Sequence, residues 1–237
     1  MEAGYRSIDT ATIYKNEIDV GLALRESGLP REEIFVTTKI WYTEQGYEET
    51  LKAFDISINK LGIEYLDLYL IHHPIPKKYP ETWRAMERLY REKKIRAIGV
   101  SNFMENHLDS LLQTAEIVPA VNQVEMHPYL QQRSVLLHNI ERGIQTESWA
   151  PIAKGTALQE KNILDLAKKY EKTPAQVVLR WGLQLGVVLI PKSVHKDRII
   201  ENTDIFDFVL TQEEMASFDI LESNKRFGAI PDNWDWI

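Results

Sequence analysis

Cysteine is absent from all 237 residues. Disulfides, thiolate metal sites and thiol nucleophiles are thereby excluded, and a reducing cytoplasm is the expected compartment. Long apolar runs are missing too: no stretch approaches the roughly 18 residues of a membrane span. The first ten residues, MEAGYRSIDT, carry charge where a secretory signal needs an apolar core. Charge of one sign is never gathered into a block. The 28 Lys and Arg are interspersed with 35 Asp and Glu, for a net charge of −7. Such a chain repels nucleic acid and anionic lipid, so neither is an expected partner. No linker, low-complexity tract or composition break divides the sequence. A single domain over residues 1–237 is the simplest organisation, with 222–237 as an aromatic, Pro-broken C-terminal tail.

What is present is an alternation of short apolar runs and longer amphipathic segments. The runs Tyr5–Asp9, Ile34–Ile40, Tyr65–Ile71, Ile95–Val100, Ala120–Val124, Ile144–Trp149 and Val187–Ile190 are rich in Val, Ile, Leu and Tyr. Strands buried on both faces have that composition. Between them, Leu51, Phe54, Ile58 and Leu61 recur at helical spacing and line one face. Thr173-Pro174 opens another helix, with Val178, Trp181 and Leu185 as its buried stripe. Asn16 followed by Asp19 predicts a further capped start. Strand then helix, repeated, implies parallel strands with right-handed crossovers, in either an open doubly wound sheet or a closed barrel. About seven strand–helix units are visible, whereas a (β/α)8 TIM barrel needs eight. One unit is expected to be absent at the N-terminus, and the chain alone is expected to be weakly active or aggregation-prone.

Three successive runs end in reactive side chains: Asp9, Lys39 and His72, with Tyr14 five residues after the first. Taken singly, each has an ordinary structural explanation as a turn, solvated or packing residue. In a β/α barrel all four would face one mouth, because active sites gather at the C-terminal ends of the strands. A tyrosine hydroxyl, ordinarily titrating near about 10, is a weak acid at neutral pH. A nearby ammonium stabilises its phenolate by roughly 4 kcal/mol at ~4 Å and an effective dielectric near 20. A carboxylate keeps that ammonium charged.

The segment Gly4–Glu17 (G-Y-R-S-I-D-T-A-T-I-Y-K-N-E) is similar to the signature of the aldo-keto reductases. Thr37–Trp41, Asp67–Pro74, Gly99–Phe103, Val121–Pro128 and Ile190–Ser193 follow in the family's order and cover essentially the whole chain. The resemblance implies a (β/α)8 barrel, N-terminally truncated here, that reduces the carbonyl of an aldehyde or ketone with a nicotinamide cofactor. It implies that Asp9, Tyr14, Lys39 and His72 are the catalytic tetrad, with Tyr14 the general acid and His72 orienting the carbonyl. It further implies that Ser101, Asn102 and Gln123 hold the nicotinamide carboxamide and that Trp149 stacks on its ring. Lys154 and Gly155 fall in a loop over the pyrophosphate, and Asp9 and Ile152 are further cofactor contacts. Lys192, Ser193 and Arg198 meet an adenosine 2′-phosphate, and Glu201 and Asn202 the adenine.

There is no G-x-G-x-x-G, so dinucleotide binding of the Rossmann type is unsupported. Two cations and a hydroxyl suit a phosphomonoester better than a ribose hydroxyl, which favours NADPH over NADH. Trp41, His72 and His73 are the expected substrate contacts. Adjacent residues of a strand point to opposite faces, so His72 and His73 are not expected to share a metal, and no metal site is predicted. Phe227, Trp234 and Trp236 of the tail are candidates to fold over the mouth. The expected protein is a monomer acting on a small carbonyl compound. An impaired barrel that only binds nucleotide, or regulates, is the alternative.

Overall fold

A computed structural model describes residues 1–233; Trp234 and Trp236 lie outside the described residues. The chain divides into two compact units, one comprising Met1–Asn122 with Glu141–Ile144, the other Gln123–Ile140 with Gln145–Ile237.

In the first unit, strand and helix alternate. β1 (Ser7–Asp9) leads to α1 (Glu17–Glu26), β2 (Phe35–Ile40) to α2 (Tyr47–Leu61), β3 (Leu66–Ile71) to α3 (Tyr79–Arg91), and β4 (Ile95–Ser101) to α4 (Glu105–Leu112). β1 pairs with β2, β2 with β3 and β3 with β4, all parallel. The apolar runs therefore became strands within two residues of their expected bounds. β3 is buried along its whole length, as a strand covered on both faces must be. The core of this unit gathers Phe54, Tyr69, Trp83, Met86 and Phe103. Of the predicted stripe on α2, Phe54 and Leu61 are buried, while Leu51 and Ile58 pack half-buried against the core.

Register decides which side chains share a face. Asp9 lies opposite Thr37, Lys39 opposite Leu70, and Leu70 opposite Gly99. Because side chains alternate with period two, Asp9, Thr37 and Lys39 point the same way, as do Leu70 and Gly99. The ladder runs one step beyond β3, since the His72 amide donates to the Ile40 carbonyl at 3.1 Å. At the opposite end of the same strands, buried Asp67 accepts from Arg31 at 2.7 Å, Arg96 at 3.0 Å and the Val36 amide at 2.9 Å. That end is tied together structurally.

The second unit takes most of β5 (Val121–Glu125) and α5 (Arg133–Glu141), then β6 (Gln145–Trp149), α6 (Lys161–Tyr170), α7 (Pro174–Gln184), β7 (Val188–Ile190), α8 (Lys196–Glu201) and α9 (Gln212–Ser217). β6 and β7 are parallel. Thr173 caps α7 as expected: its hydroxyl accepts from the Gln176 amide, and the Gln176 side chain accepts from the Thr173 amide. Val178 and Trp181 are buried and Trp181 stacks on Phe218 at 5.1 Å, whereas Leu185 is half-buried. Asn16 stands at the cap position of α1 but does not cap it; its side-chain oxygen accepts from Thr10 at 2.6 Å instead. Among the described residues, no helix is long and apolar enough to cross a membrane, and no three His, Asp or Glu are grouped to hold a metal ion.

Candidate active site

Lys39 is fully buried, an unusual place for an ammonium. It is held there by a very short ion pair to the Asp9 carboxylate and by a 3.1 Å hydrogen bond to the Thr10 carbonyl. Its Nζ stands 5.3 Å from the centroid of the Tyr14 ring. Tyr14 closes a 3-10 turn, Thr12–Tyr14, just beyond β1 and is half exposed. The Tyr14 ring meets His72 edge-on at 5.8 Å. The four predicted catalytic residues thus converge.

His72 is buried, and burial together with the Lys39 charge pushes its pKa well below the usual histidine value. It is a neutral ring at pH 7, and its buried Nδ1 has no hydrogen-bond partner. The expectation that His72 and His73 diverge is not met. Their rings stack at 5.2 Å with planes 11° apart, because β3 ends at Ile71 and strand alternation no longer applies. Burial lowers His73 to about 4. Trp41 lies edge-on to both rings, 5.0 Å from His72 and 5.5 Å from His73.

Asn102, which the family resemblance assigned to the carboxamide, holds this group together with Gln45 and Glu44, which the sequence did not single out. The Asn102 side-chain amide donates to the His72 carbonyl at 2.9 Å and to Ser101 Oγ at 3.1 Å. Gln45 donates to the His73 carbonyl at 2.7 Å. Glu44 accepts from Thr12 at 2.9 Å and from the Trp41 amide at 3.3 Å, which joins the turn carrying Tyr14 to the one carrying Trp41. Neither Gln45 nor Glu44 has a sequence spacing that betrays its role. Asn102 reaches His72 because its backbone is left-handed, with φ +62°.

In the second unit, the residues expected at the cofactor lie on β5 and β6, in the segments that follow β6 and β7, and on α8. Gln123 is buried and donates to Glu147 at 2.8 Å. Trp149 ends β6, half-buried. Ile152 precedes the 3-10 segment Ala153–Gln159, in which Lys154 and Gly155 are left-handed. Lys154 Nζ donates to the Phe227 carbonyl at 3.0 Å. Lys192 and Ser193 lie between β7 and α8, and Ser193 Oγ accepts from the His195 amide at 3.0 Å. Arg198 and Glu201 are on α8, with Asn202 at its end.

Lys192 and Arg198 are exposed and make no ion pair with any described residue, so two cations and a hydroxyl stand uncommitted to other charges. That donor set fits a phosphate group. The Glu201 carboxylate is already engaged by the Thr173 hydroxyl at 2.6 Å.

A sequence profile of the Aldo/keto reductase family matches residues 1–223. The chain belongs to this family. Glyoxal reductase of Bacillus subtilis is 55% identical over 98% of this chain and 84% of its own length. An aldo-keto reductase from a Medee basin deep-sea metagenome library superposes with a TM-score of 0.97, at 46% identity, covering 99% of this chain and 88% of that one. A variant of Gox0644 in complex with NADPH superposes at 0.93, with 44% identity over 98% of this chain and 85% of that one. The fold is therefore that of the solved aldo-keto reductases, and this aldo-keto reductase is an oxidoreductase of carbonyl groups.

Proposed function

We propose that this aldo-keto reductase transfers hydride from NADPH to a small, polar aldehyde or ketone, of which glyoxal and related 2-oxoaldehydes are the favoured class. The observation that carries the reading is Lys39: an ammonium buried under Tyr14 and fixed by Asp9 and the Thr10 carbonyl. Burying a charge this way is costly and is tolerated when the charge is paired. Here it sits where a phenolate forms during the reaction.

The reduced nicotinamide supplies the hydride when bound. Tyr14 donates its hydroxyl proton to the carbonyl oxygen. Lys39, whose Nζ stands 5.3 Å from the Tyr14 ring centroid, supplies a positive charge that favours the resulting phenolate. Asp9 pairs with Lys39 and fixes its position. His72, neutral at pH 7, donates one N–H to the same oxygen and aligns the carbonyl. Neither histidine is an imidazolium at that pH, and the N–H of a neutral imidazole is far too weak an acid to transfer, which leaves Tyr14 as the acid. Ser101, Asn102 and Gln123 would hold the carboxamide, Trp149 the ring face, Ile152 and Lys154 the pyrophosphate, Lys192, Ser193 and Arg198 the 2′-phosphate, and Glu201 with Asn202 the adenine.

Support for the substrate class comes from the glyoxal reductase relative and from His73. A neutral imidazole beside His72 offers a second polar contact, suited to the neighbouring carbonyl of a dicarbonyl compound. The same reading has the enzyme acting as a cytoplasmic monomer. NADPH consumption with glyoxal, methylglyoxal and benzaldehyde tests it. The expected result is a higher kcat/KM for the two dicarbonyls than for benzaldehyde. Absence of NADPH oxidation with all three would overturn the reading.

A further inference from the structure

The motif V-N-Q-V-E-M-H-P contains a buried pair, Glu125 and His127, that the tetrad and the phosphate cations do not use. Both side chains are completely buried. An ionised carboxylate only accepts hydrogen bonds, so the 3.2 Å contact is donated by His127 Nε2 to Glu125 Oε1. The other donors come from the C-terminal tail. The Phe227 amide donates to Glu125 Oε1 at 2.6 Å, and the Gly228 amide to Oε2 at 3.2 Å. Burial pushes the Glu125 carboxyl up, but these hydrogen bonds from His127, Phe227 and Gly228 outweigh it and hold the group below the usual carboxylate range.

The tail is also gripped just before this point and at Phe227 itself. The amides of Ser223 and Lys225 donate to the Tyr129 carbonyl, each at 3.2 Å. His127 meets the Phe227 ring edge-on at 5.3 Å. Lys154, in the segment assigned to the pyrophosphate, donates to the Phe227 carbonyl.

What the tail does next explains why it is held. Gly228 lies against the edge of Trp149. A Cβ built at Gly228 would stand 2.3 Å from Trp149 Cη2, a separation that side chains essentially never show, and 3.1 Å from Cζ2. Only glycine brings the backbone this close. The two tail amides and the indole edge form one continuous contact, with Glu125 underneath it.

We propose that Glu125 is a positioning residue: its carboxylate clamps Phe227 and Gly228, and the clamped backbone fixes the indole plane of Trp149 for the nicotinamide. The clamp rests on the functional reading above only for the identity of what Trp149 receives. Glu125→Gln keeps the shape but replaces one acceptor oxygen with a donor facing an amide. Gly228→Ala leaves the carboxylate intact and pushes the tail off the indole. The two variants attack the two ends of the same device, so either remains informative if the other fails to fold.

The first readout needs no cofactor. Trypsin cuts after Lys225 and Arg226, within the clamped stretch. Loss of a charge-assisted hydrogen bond should raise the cleavage rate of the apo Glu125→Gln protein about tenfold or more, since exposure of a locally opened segment tracks its opening equilibrium. The second readout is NADPH affinity by fluorescence titration of the full chain. Both variants should bind about fivefold or more weakly than the parent, through lost pre-organisation of the stacking face. Glu125→Asp, which retains a carboxylate, should recover part of both effects.

Unchanged trypsin sensitivity in Glu125→Gln would overturn the clamp. Parent-like NADPH affinity in Gly228→Ala would overturn its action through Trp149. A parent protein that binds no NADPH would overturn the functional reading itself, and the cofactor role of the clamp with it.

Discussion

His72 and His73 stack as two neutral imidazoles at the end of β3, and their neutrality has a measurable consequence. His73 is lowered from the ordinary 6.5 to about 4. Above pH 6.5 neither the folded nor the unfolded chain protonates it, and below 4 both do. Between those values the unfolded chain takes up a proton that the folded site excludes, so stability falls as pH drops through the window. Replacing His73 with Phe should remove roughly 2 kcal/mol of the stability lost between pH 7 and pH 4.5. Urea unfolding of both proteins at the two pH values checks this. Equal losses would mean that the His73 ring is not held neutral.

At this scale the sequence was informative about chemistry and silent about support. Asp9, Tyr14, Lys39 and His72 stood out because four reactive types fell at the ends of successive apolar runs. Gln45 and Glu44 did not, because their roles depend on loops meeting across the chain, and Asn102 stood out for the cofactor but not for its hold on His72, which depends on a left-handed turn. The divergence of His72 and His73 was misjudged because the period-two rule was carried two residues past the strand.

Helix α1 packs so closely on the end of α2 that a side chain at Gly21 has nowhere to go: its Cβ would stand 2.3 Å from the Leu61 carbonyl oxygen. Two effects oppose each other in Gly21→Ala. Alanine gains about 1 kcal/mol of helix propensity, whereas forcing atoms into a packed contact costs typically 1–3 kcal/mol. The obstacle is backbone, which cannot rotate away, so the net effect should be destabilising. Thermal melting should show a lower Tm for Gly21→Ala, and a raised Tm would contradict the close approach.

The loop after β7 and helix α8, which it leads into, carry the second prediction at this scale. Charge-assisted bonds to phosphate contribute about 1.5–3 kcal/mol each. Replacing Lys192 and Arg198 with Met should therefore weaken NADPH binding at least about tenfold and leave NADH nearly unchanged. Equal losses for both coenzymes would place these cations elsewhere. The elements themselves were legible because buried parallel strands read as unbroken apolar runs. Asp67 shows the limit. It opens the same motif as His72, yet it ties β2, β3 and β4 together at the end away from the tetrad. A motif records both kinds of residue without distinguishing them.

For the molecule as a whole, family membership and fold rest on matches spanning nearly the full chain and 84–88% of the relatives' lengths. The seven strand–helix units read from the sequence correspond to the seven strands described. The buried Glu125–His127 pair was in plain view in the sequence, but its partners lie about a hundred residues downstream. No local pattern can announce a contact of that range.

The central claim is that Tyr14 protonates the substrate over a fixed Lys39. Tyr14→Phe removes one hydroxyl and keeps the ring that meets His72. General acid catalysis contributes typically about 10²–10⁴-fold, so the variant should lose at least about a hundredfold in kcat for glyoxal reduction. Its NADPH affinity, measured by fluorescence titration of the same preparation, should stay within about twofold of the parent. A kcat within threefold of the parent would contradict the account.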